Sequence, residues 1–159
     1  MTSQTSEPGI ELRAERPDDA GFVDELVRGN LREAMAGLDL GPLRELQLRS
    51  RAAMLEQNFP DLRRRVAWAG ASPAGYLLTG IRDGVVHVVE IVVSPDWRRR
   101  GVAAAMLAQV MAEARRSGQA VTAHIFVTNT ASLTLFGRAG FTLTTTPGAA
   151  QAVARTTPD

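Results

Sequence analysis

Seven of the nine residues from Val85 to Val93 are valine or isoleucine, and the other two, His87 and Glu90, are ionisable. Branching at Cβ stiffens such side chains and suits them to a pleated surface. A run that is apolar at odd and even positions alike belongs to a strand covered on both faces. The run ends at Pro95-Asp96-Trp97 and passes through Arg98-Arg99-Arg100-Gly101. Helical spacing follows, with Val102, Met106, Leu107, Val110 and Met111 on one stripe. An interior strand that feeds directly into an amphipathic helix confines the chain to a sheet with helices laid on it.

The other segments extend that frame. Residues 10–14 alternate as a short first strand. Pro17-Asp18-Asp19 opens a helix, because an Asp carboxylate accepts the unpaired amides of a first turn; Phe22, Val23, Leu26, Val27, Leu31 and Met35 follow at helical spacing. Leu40-Gly41-Pro42 interrupts, and Pro42 suits the first position of a second helix running through Leu43, Leu46, Ala53 and Met54 to Phe59-Pro60. Residues 66–69 and 75–81 read as strands about a turn, and Asp83-Gly84 as a hairpin dipeptide. Gly118 stops the third helix. Residues 120–127 then read as a strand, 130–139 as a short helix and 141–145 as a strand, and Pro147-Gly148 turns into a last short strand through Val153. The order predicts one α/β domain over residues 10–155, a central mixed sheet flanked by about four helices, after a disordered tail over 1–9.

Composition narrows the function. With no cysteine, disulfides, thiolate metal sites and a cysteine nucleophile are excluded. Two histidines without a second ligand at metal spacing give no metal site. A net charge of +1 counts against nucleic acid or an anionic membrane as the main partner. No apolar run reaches membrane-spanning length and no export pattern opens the chain, so the expected location is cytoplasmic.

The turn before the third helix is a ready anion site. First-turn amides have no intrahelical acceptor, the helix dipole adds positive potential, and Gly101 permits close backbone approach. The similar triplet Arg63-Arg64-Arg65 reads instead as a solvated basic turn. A single glycine and no Gly-Lys-Ser/Thr ending exclude the dinucleotide and Walker A loops. What remains, Arg98-Arg-Arg-Gly101-Val-Ala103 directly after Ile91-Val-Val-Ser-Pro-Asp96, resembles the acetyl-coenzyme A site of the GNAT superfamily of N-acetyltransferases, whose loop reads Gln/Arg-x-x-Gly-x-Gly/Ala. Downstream, Asn129-Thr-Ala-Ser132-Leu-Thr-Leu135-Phe136-Gly-Arg-Ala-Gly140-Phe141 is similar to the superfamily's Asn-x-x-Ala-x-x-Leu-Tyr-x-x-x-Gly-Phe motif.

The resemblance implies roles. Backbone groups of Ile91, Val92 and Val93 would pair with the pantetheine arm as with an added strand, and the Val93 amide would face the thioester oxygen. Arg98, Arg99, Arg100, Gly101, Val102, Ala103 and Ala104 would form the pyrophosphate loop, and Asn129 would bind the cofactor from the facing edge. Phe136 stands within the cofactor motif where many members have a tyrosine that protonates the departing thiolate; phenylalanine cannot do so. Water or Ser132 would have to substitute, and the single tyrosine, Tyr76, reads as a packing residue. The implied reaction is direct acetyl transfer from acetyl-coenzyme A to an amine of a small molecule or peptide, releasing coenzyme A, by a monomer or homodimer.

Two residues are candidates for the base that such an acceptor requires. Glu90 sits in a strand apolar on both faces, where an ionised carboxylate needs a partner; a structural pair with Arg82 or Arg13 is the competing reading. His124, five residues before Asn129, has an unperturbed pKa of ~6.5 that suits a base, and ranks second. His87 reads as structural. Phe22, Leu26, Leu31 and Met35 line either an acceptor pocket or a helix interface. Two rival functions stay open: a non-catalytic acyl-coenzyme A binder, which Phe136 favours, and a nucleic-acid module built on the arginine clusters, which the near-neutral charge opposes.

Overall fold

The structure, a computed structural model, describes residues 9–34 and 41–157. The tail over 1–8, Met35 and Leu40 lie outside the described residues. The strands are β1 (Ile10–Ala14), β2 (Asp61–Ala69), β3 (Ser72–Arg82), β4 (Val85–Val93), β5 (Val121–Phe126), β6 (Thr142–Thr144) and β7 (Gln151–Arg155). The helices are α1 (Ala20–Ala34), α2 (Gly41–Asn58), α3 (Val102–Arg116) and α4 (Thr130–Arg138).

The strands form one sheet in the order β1-β2-β3-β4-β5-β7-β6, antiparallel throughout except for the parallel β4–β5 contact. That pairing follows from the connection. A β4-to-β5 crossover through α3 returns the chain in the same direction, as a crossover helix must. Helices cover both faces. On one, Val102, Met106, Leu107 and Val110 of α3 and Phe136 of α4 close over Leu77, Val86, Val121 and Ile125. On the other, Val23 and Leu26 of α1 and Leu55 of α2 pack on Val66, Tyr76, Leu78 and Val92.

Local chemistry sets the element ends. The amide of Arg16 donates to Oδ2 of Asp19 at 2.8 Å just before α1. Asn129 Oδ1 accepts the Ser132 amide at 3.1 Å and caps α4. Asp83-Gly84 makes the β3–β4 turn with both residues at positive φ, as a tight hairpin requires.

The arginine triplet is not a turn. β2 begins at Asp61, so Arg63, Arg64 and Arg65 are strand residues and alternate in facing. Arg65 turns towards α3, is 3% exposed, and donates from Nη1 to both carboxylate oxygens of Glu113, at 3.0 and 2.9 Å. Arg63, on the same face, reaches Glu113 at 3.7 Å; period-two alternation within a charge run, with two members paired to one helix carboxylate, overrides the solvated reading.

Candidate active site

The site begins where the sheet opens. β4 and β5 pair only at Val86↔Val121 and His87↔Thr122. From Val88 to Val93 none of the described strands pairs with β4 on that side, although β3 still pairs with it on the other. A row of backbone donors and acceptors therefore faces an open fork, the arrangement on which an extended ligand adds as a strand.

A bulge decides what faces the fork. Leu78 stands opposite Glu90 and Thr79 opposite Val88, so Val89 is an extra residue in β4. Before it, Val86 and Val88 face α3; after it, Ile91 and Val93 do, while Val89 and Val92 join the α1/α2 core. The extra residue reverses the alternation and delivers Glu90 to the α2 side. There Nη1 of Arg51 donates to Glu90 Oε2 at 3.2 Å. The partner expected from sequence, Arg82 or Arg13, is thus corrected to Arg51: Arg82 lies over Phe59 and Arg13 over Trp68. Glu90 is 9% exposed. Burial raises its pKa above the ordinary glutamate value, and Arg51 partly opposes the rise.

His124 is exposed on β5, opposite Val153 of β7. Its even-numbered neighbours in β5 point away from the α3 core, which takes Val121, Ala123 and Ile125, so His124 shares the α2 side with Glu90. His87 packs against the Phe59 ring, centroids 5.1 Å apart. Tyr76 is buried in the α1/α2 core; burial first, then Glu15, pushes its hydroxyl up to about 12, too weak an acid to serve a thiolate.

Past the end of β4, Ser94 donates its amide to Ala74 at 2.8 Å and a single 3-10 turn spans Pro95–Trp97. Arg98 then pairs with Glu33 of α1 at 2.7 Å, and Arg100 stacks over Trp97 at 5.0 Å. Arg99 and Gly101 both take left-handed backbone, φ 62° and 79°. A non-glycine residue there is costly; alternation of this kind curls successive amides around a concavity that suits an anion. A Cβ built on Gly101 would meet nothing within 4 Å, so the ground above the loop is open. The first amide bonded along α3 is that of Ala105, to Gly101 at 3.0 Å, which leaves the amides of Val102, Ala103 and Ala104 without an intrahelical acceptor.

Across the fork, Asn129 spends Oδ1 on the α4 cap and keeps its amide hydrogens. Phe136 is 2% exposed and meets Phe141 edge-on at 4.9 Å, in the core beneath α4. A cavity of about 750 Å³ lies between α1 and the end of β4, walled by Phe22, Glu25, Leu26, Val92, Trp97 and Arg98 among others; Leu31 is not in its wall. Among the described residues no His, Asp and Glu side chains gather as a metal site, and no helix is long and apolar enough to cross a membrane.

A strand fork opening onto a left-handed anion loop at a helix N-terminus defines an α/β domain suited to an extended ligand that carries an anionic group. Residues 33–141 match the acetyltransferase (GNAT) family, and the chain belongs to that family, whose acyl donor is acetyl-coenzyme A. Solved structures of the same fold include the PaiA N-acetyltransferase of Thermoplasma acidophilum in complex with coenzyme A, at 15% identity, TM-score 0.74, covering 94% of this chain and 99% of that one. An acetyltransferase from Thermus thermophilus matches at 18% identity and TM-score 0.70, over 93% of this chain and 96% of its own. The ribosomal-protein-S18-alanine N-acetyltransferase of Escherichia coli matches at 13% and 0.61, over 92% and 90%. At these identities the likeness establishes the fold alone. None of the curated proteins matches the sequence.

Proposed function

We propose that the protein transfers an acetyl group from acetyl-coenzyme A directly to an amine borne by a small molecule or peptide, in the cytoplasm, as a monomer or homodimer. One observation carries the proposal: the unpaired edge of β4 leads, through the single 3-10 turn at Pro95–Trp97, into the left-handed loop and the N-terminus of α3. A pantetheine arm has amides to match that edge, and a pyrophosphate has the charge to match that loop.

The residues fit these parts. Backbone groups of Ile91, Val92 and Val93 hold the arm, with the Val93 amide towards the thioester oxygen. The amides of Arg99, Arg100, Gly101, Val102, Ala103 and Ala104 surround the pyrophosphate, while Arg98 ties the loop to α1 through Glu33. Asn129 donates from its free amide. Acetyl-coenzyme A supplies an activated acyl group on a thiol leaving group.

Glu90 removes the proton from the incoming ammonium. Its burial strengthens the carboxylate as a base, and Arg51 orients it. His124, exposed on the same side of the sheet, is the second candidate. The absence of cysteine supports direct transfer over a cysteine-bound acyl intermediate. A thiol of pKa ~8.5 leaves tolerably without a donor, which accommodates phenylalanine at position 136.

Saturating acetyl-coenzyme A is expected to raise Tm, since it binds the native state alone, and Gly101→Glu to remove that response by placing bulk and negative charge on the loop. Thiol release across an amine panel tests transfer. No Tm response in the parent, with nucleic acid bound instead, rejects the proposal. The second reading, a non-catalytic acyl-coenzyme A binder, is favoured by Phe136. Phe136→Tyr is expected to leave cofactor affinity similar and to hold or raise turnover; a Tm response without thiol release from any amine would establish the binder.

A further inference from the structure

A band of basic side chains crosses the closed end of the fork on the α2 side of the sheet. His87 of β4 stands opposite Thr122 of β5, Thr122 opposite Arg155 of β7, and Arg155 opposite Thr142 of β6. Arg82 extends the band on β3, two residues from Gly80, which is His87's partner. His124 stands two residues beyond Thr122. Neighbouring strands lie ~4.8 Å apart, so the band from Arg82 on β3 to Arg155 on β7 is ~15 Å across, with His87 and His124 between its two guanidinium-bearing ends.

Arg82, His124 and Arg155 are exposed and His87 is half-buried. Among the described residues neither Arg82 nor Arg155 forms an ion pair. Two members are held in place by one ring: Arg82 lies over Phe59 at 5.2 Å, and Phe59 packs on His87. The acid within electrostatic reach of His87 is Asp83, at the hairpin turn. Burial, then Arg82, His124 and Arg155, hold His87 below the ordinary histidine range, with Asp83 opposing them. The Thr122 hydroxyl donates to the Ala154 carbonyl at 3.0 Å, so the residue between His87 and Arg155 leaves its donor turned into the sheet. Two unpaired guanidiniums and two imidazoles on an exposed sheet face favour an anion between them.

We propose that this band binds an anionic group of the acceptor, a carboxylate or a phosphate, and so selects amines that carry one. The proposal rests on the acetyl-transfer reading of the same face. Glu90 is three residues along β4 from His87, but one of them is the bulge, and β3 covers the same span in two residues, from Gly80 to Leu78, which sets base and anion site roughly 7 Å apart at ~3.3 Å per residue. The acceptor is therefore a short chain with its amine at one end and its anion at the other.

The test compares ε-aminocaproate, hexylamine and hexamethylenediamine in the thiol-release assay, alongside a titration of the protein with glutarate or inorganic phosphate. Because the chain has two histidines, their ring resonances report the anion directly. The expected result is a kcat/KM for ε-aminocaproate ~10-fold or more above hexylamine, carried by KM, on the scale of a charge-assisted hydrogen bond. The double variant Arg82→Gln, Arg155→Gln is expected to erase the difference between those two amines, and glutarate to shift both histidine rings in the parent but not in the variant. Thiol release with no carboxylate preference, or with no ring shift, overturns this proposal and leaves acetyl transfer standing. Ring shifts while no amine releases thiol overturn both together.

Discussion

Replacing Glu90 by glutamine separates what this carboxyl does for the fold from what it does for the chemistry. The Glu90 side chain is 8% exposed, but that of its partner Arg51 is 39% exposed. Removing the carboxylate therefore leaves Arg51 in water rather than stranded, and the several-kcal/mol penalty of an abandoned buried charge does not arise. A pair with one solvated partner contributes ~0–1 kcal/mol, and in a domain of this size ~1 kcal/mol moves Tm by ~2–4 °C. Burial also raises the folded pKa of Glu90, so the folded protein holds this proton more tightly than the unfolded chain. The associated stability is complete below the ordinary glutamate value and is lost as pH rises through the raised one. Glutamine has no such loss. Glu90→Gln should thus keep a Tm near or above the parent's at neutral pH and flatten the stability profile across that window. Turnover should fall ~10²–10⁴-fold, the scale of a lost general base, and recover at high pH as the amine arrives deprotonated. Thermal unfolding and thiol release over the same pH series, with His124→Gln as the companion, check all three. A Tm loss of ~10 °C or more without recovery at high pH would refute the reasoning, as would parental turnover at neutral pH.

Two further substitutions test the frame around the site. Glu113→Ala leaves Arg65, 3% exposed, without its carboxylate; a cost of ~3–5 kcal/mol should appear as a Tm loss of ~10 °C, and Arg65→Met with Glu113→Leu should restore most of it. Gly75→Ala puts a Cβ 2.7 Å from the Val92 carbonyl and 3.1 Å from the Met106 methyl; ~1–3 kcal/mol of overpacking, and a smaller Tm response to acetyl-coenzyme A, should follow because β4 is displaced beside the fork.

Much of this was legible in the chain because it is local. Pro95, Gly101 and the stripe from Val102 to Met111 mark strand end, turn and helix from neighbours alone. What was hidden depends on partners distant in sequence. Arg65 is buried only because Glu113, on a helix 48 positions away, meets it. Glu90 faces α2 only because Val89 is extra relative to β3, and plain alternation along β4 would have placed it under α3. Arg51, in the middle of α2, carried no signal that it would meet a strand carboxylate. The anion loop had a motif, whereas the basic band has none: its four members come from three separate stretches of chain and meet only through strand register.

The sheet order has a consequence for how the molecule assembles. β7 follows β6 along the chain yet inserts between β6 and β5. During synthesis β5 therefore waits with a bare flank until residues 151–155 have emerged, and β6 has no strand to join before then. Pairing so distant in sequence is slow to form, and an open strand invites strangers while it waits. The same strand holds one arm of the fork in place, so the cleft is completed by the last of the described strands to leave the ribosome. A nascent chain halted before β7 would carry every residue of the anion loop and still lack a walled site.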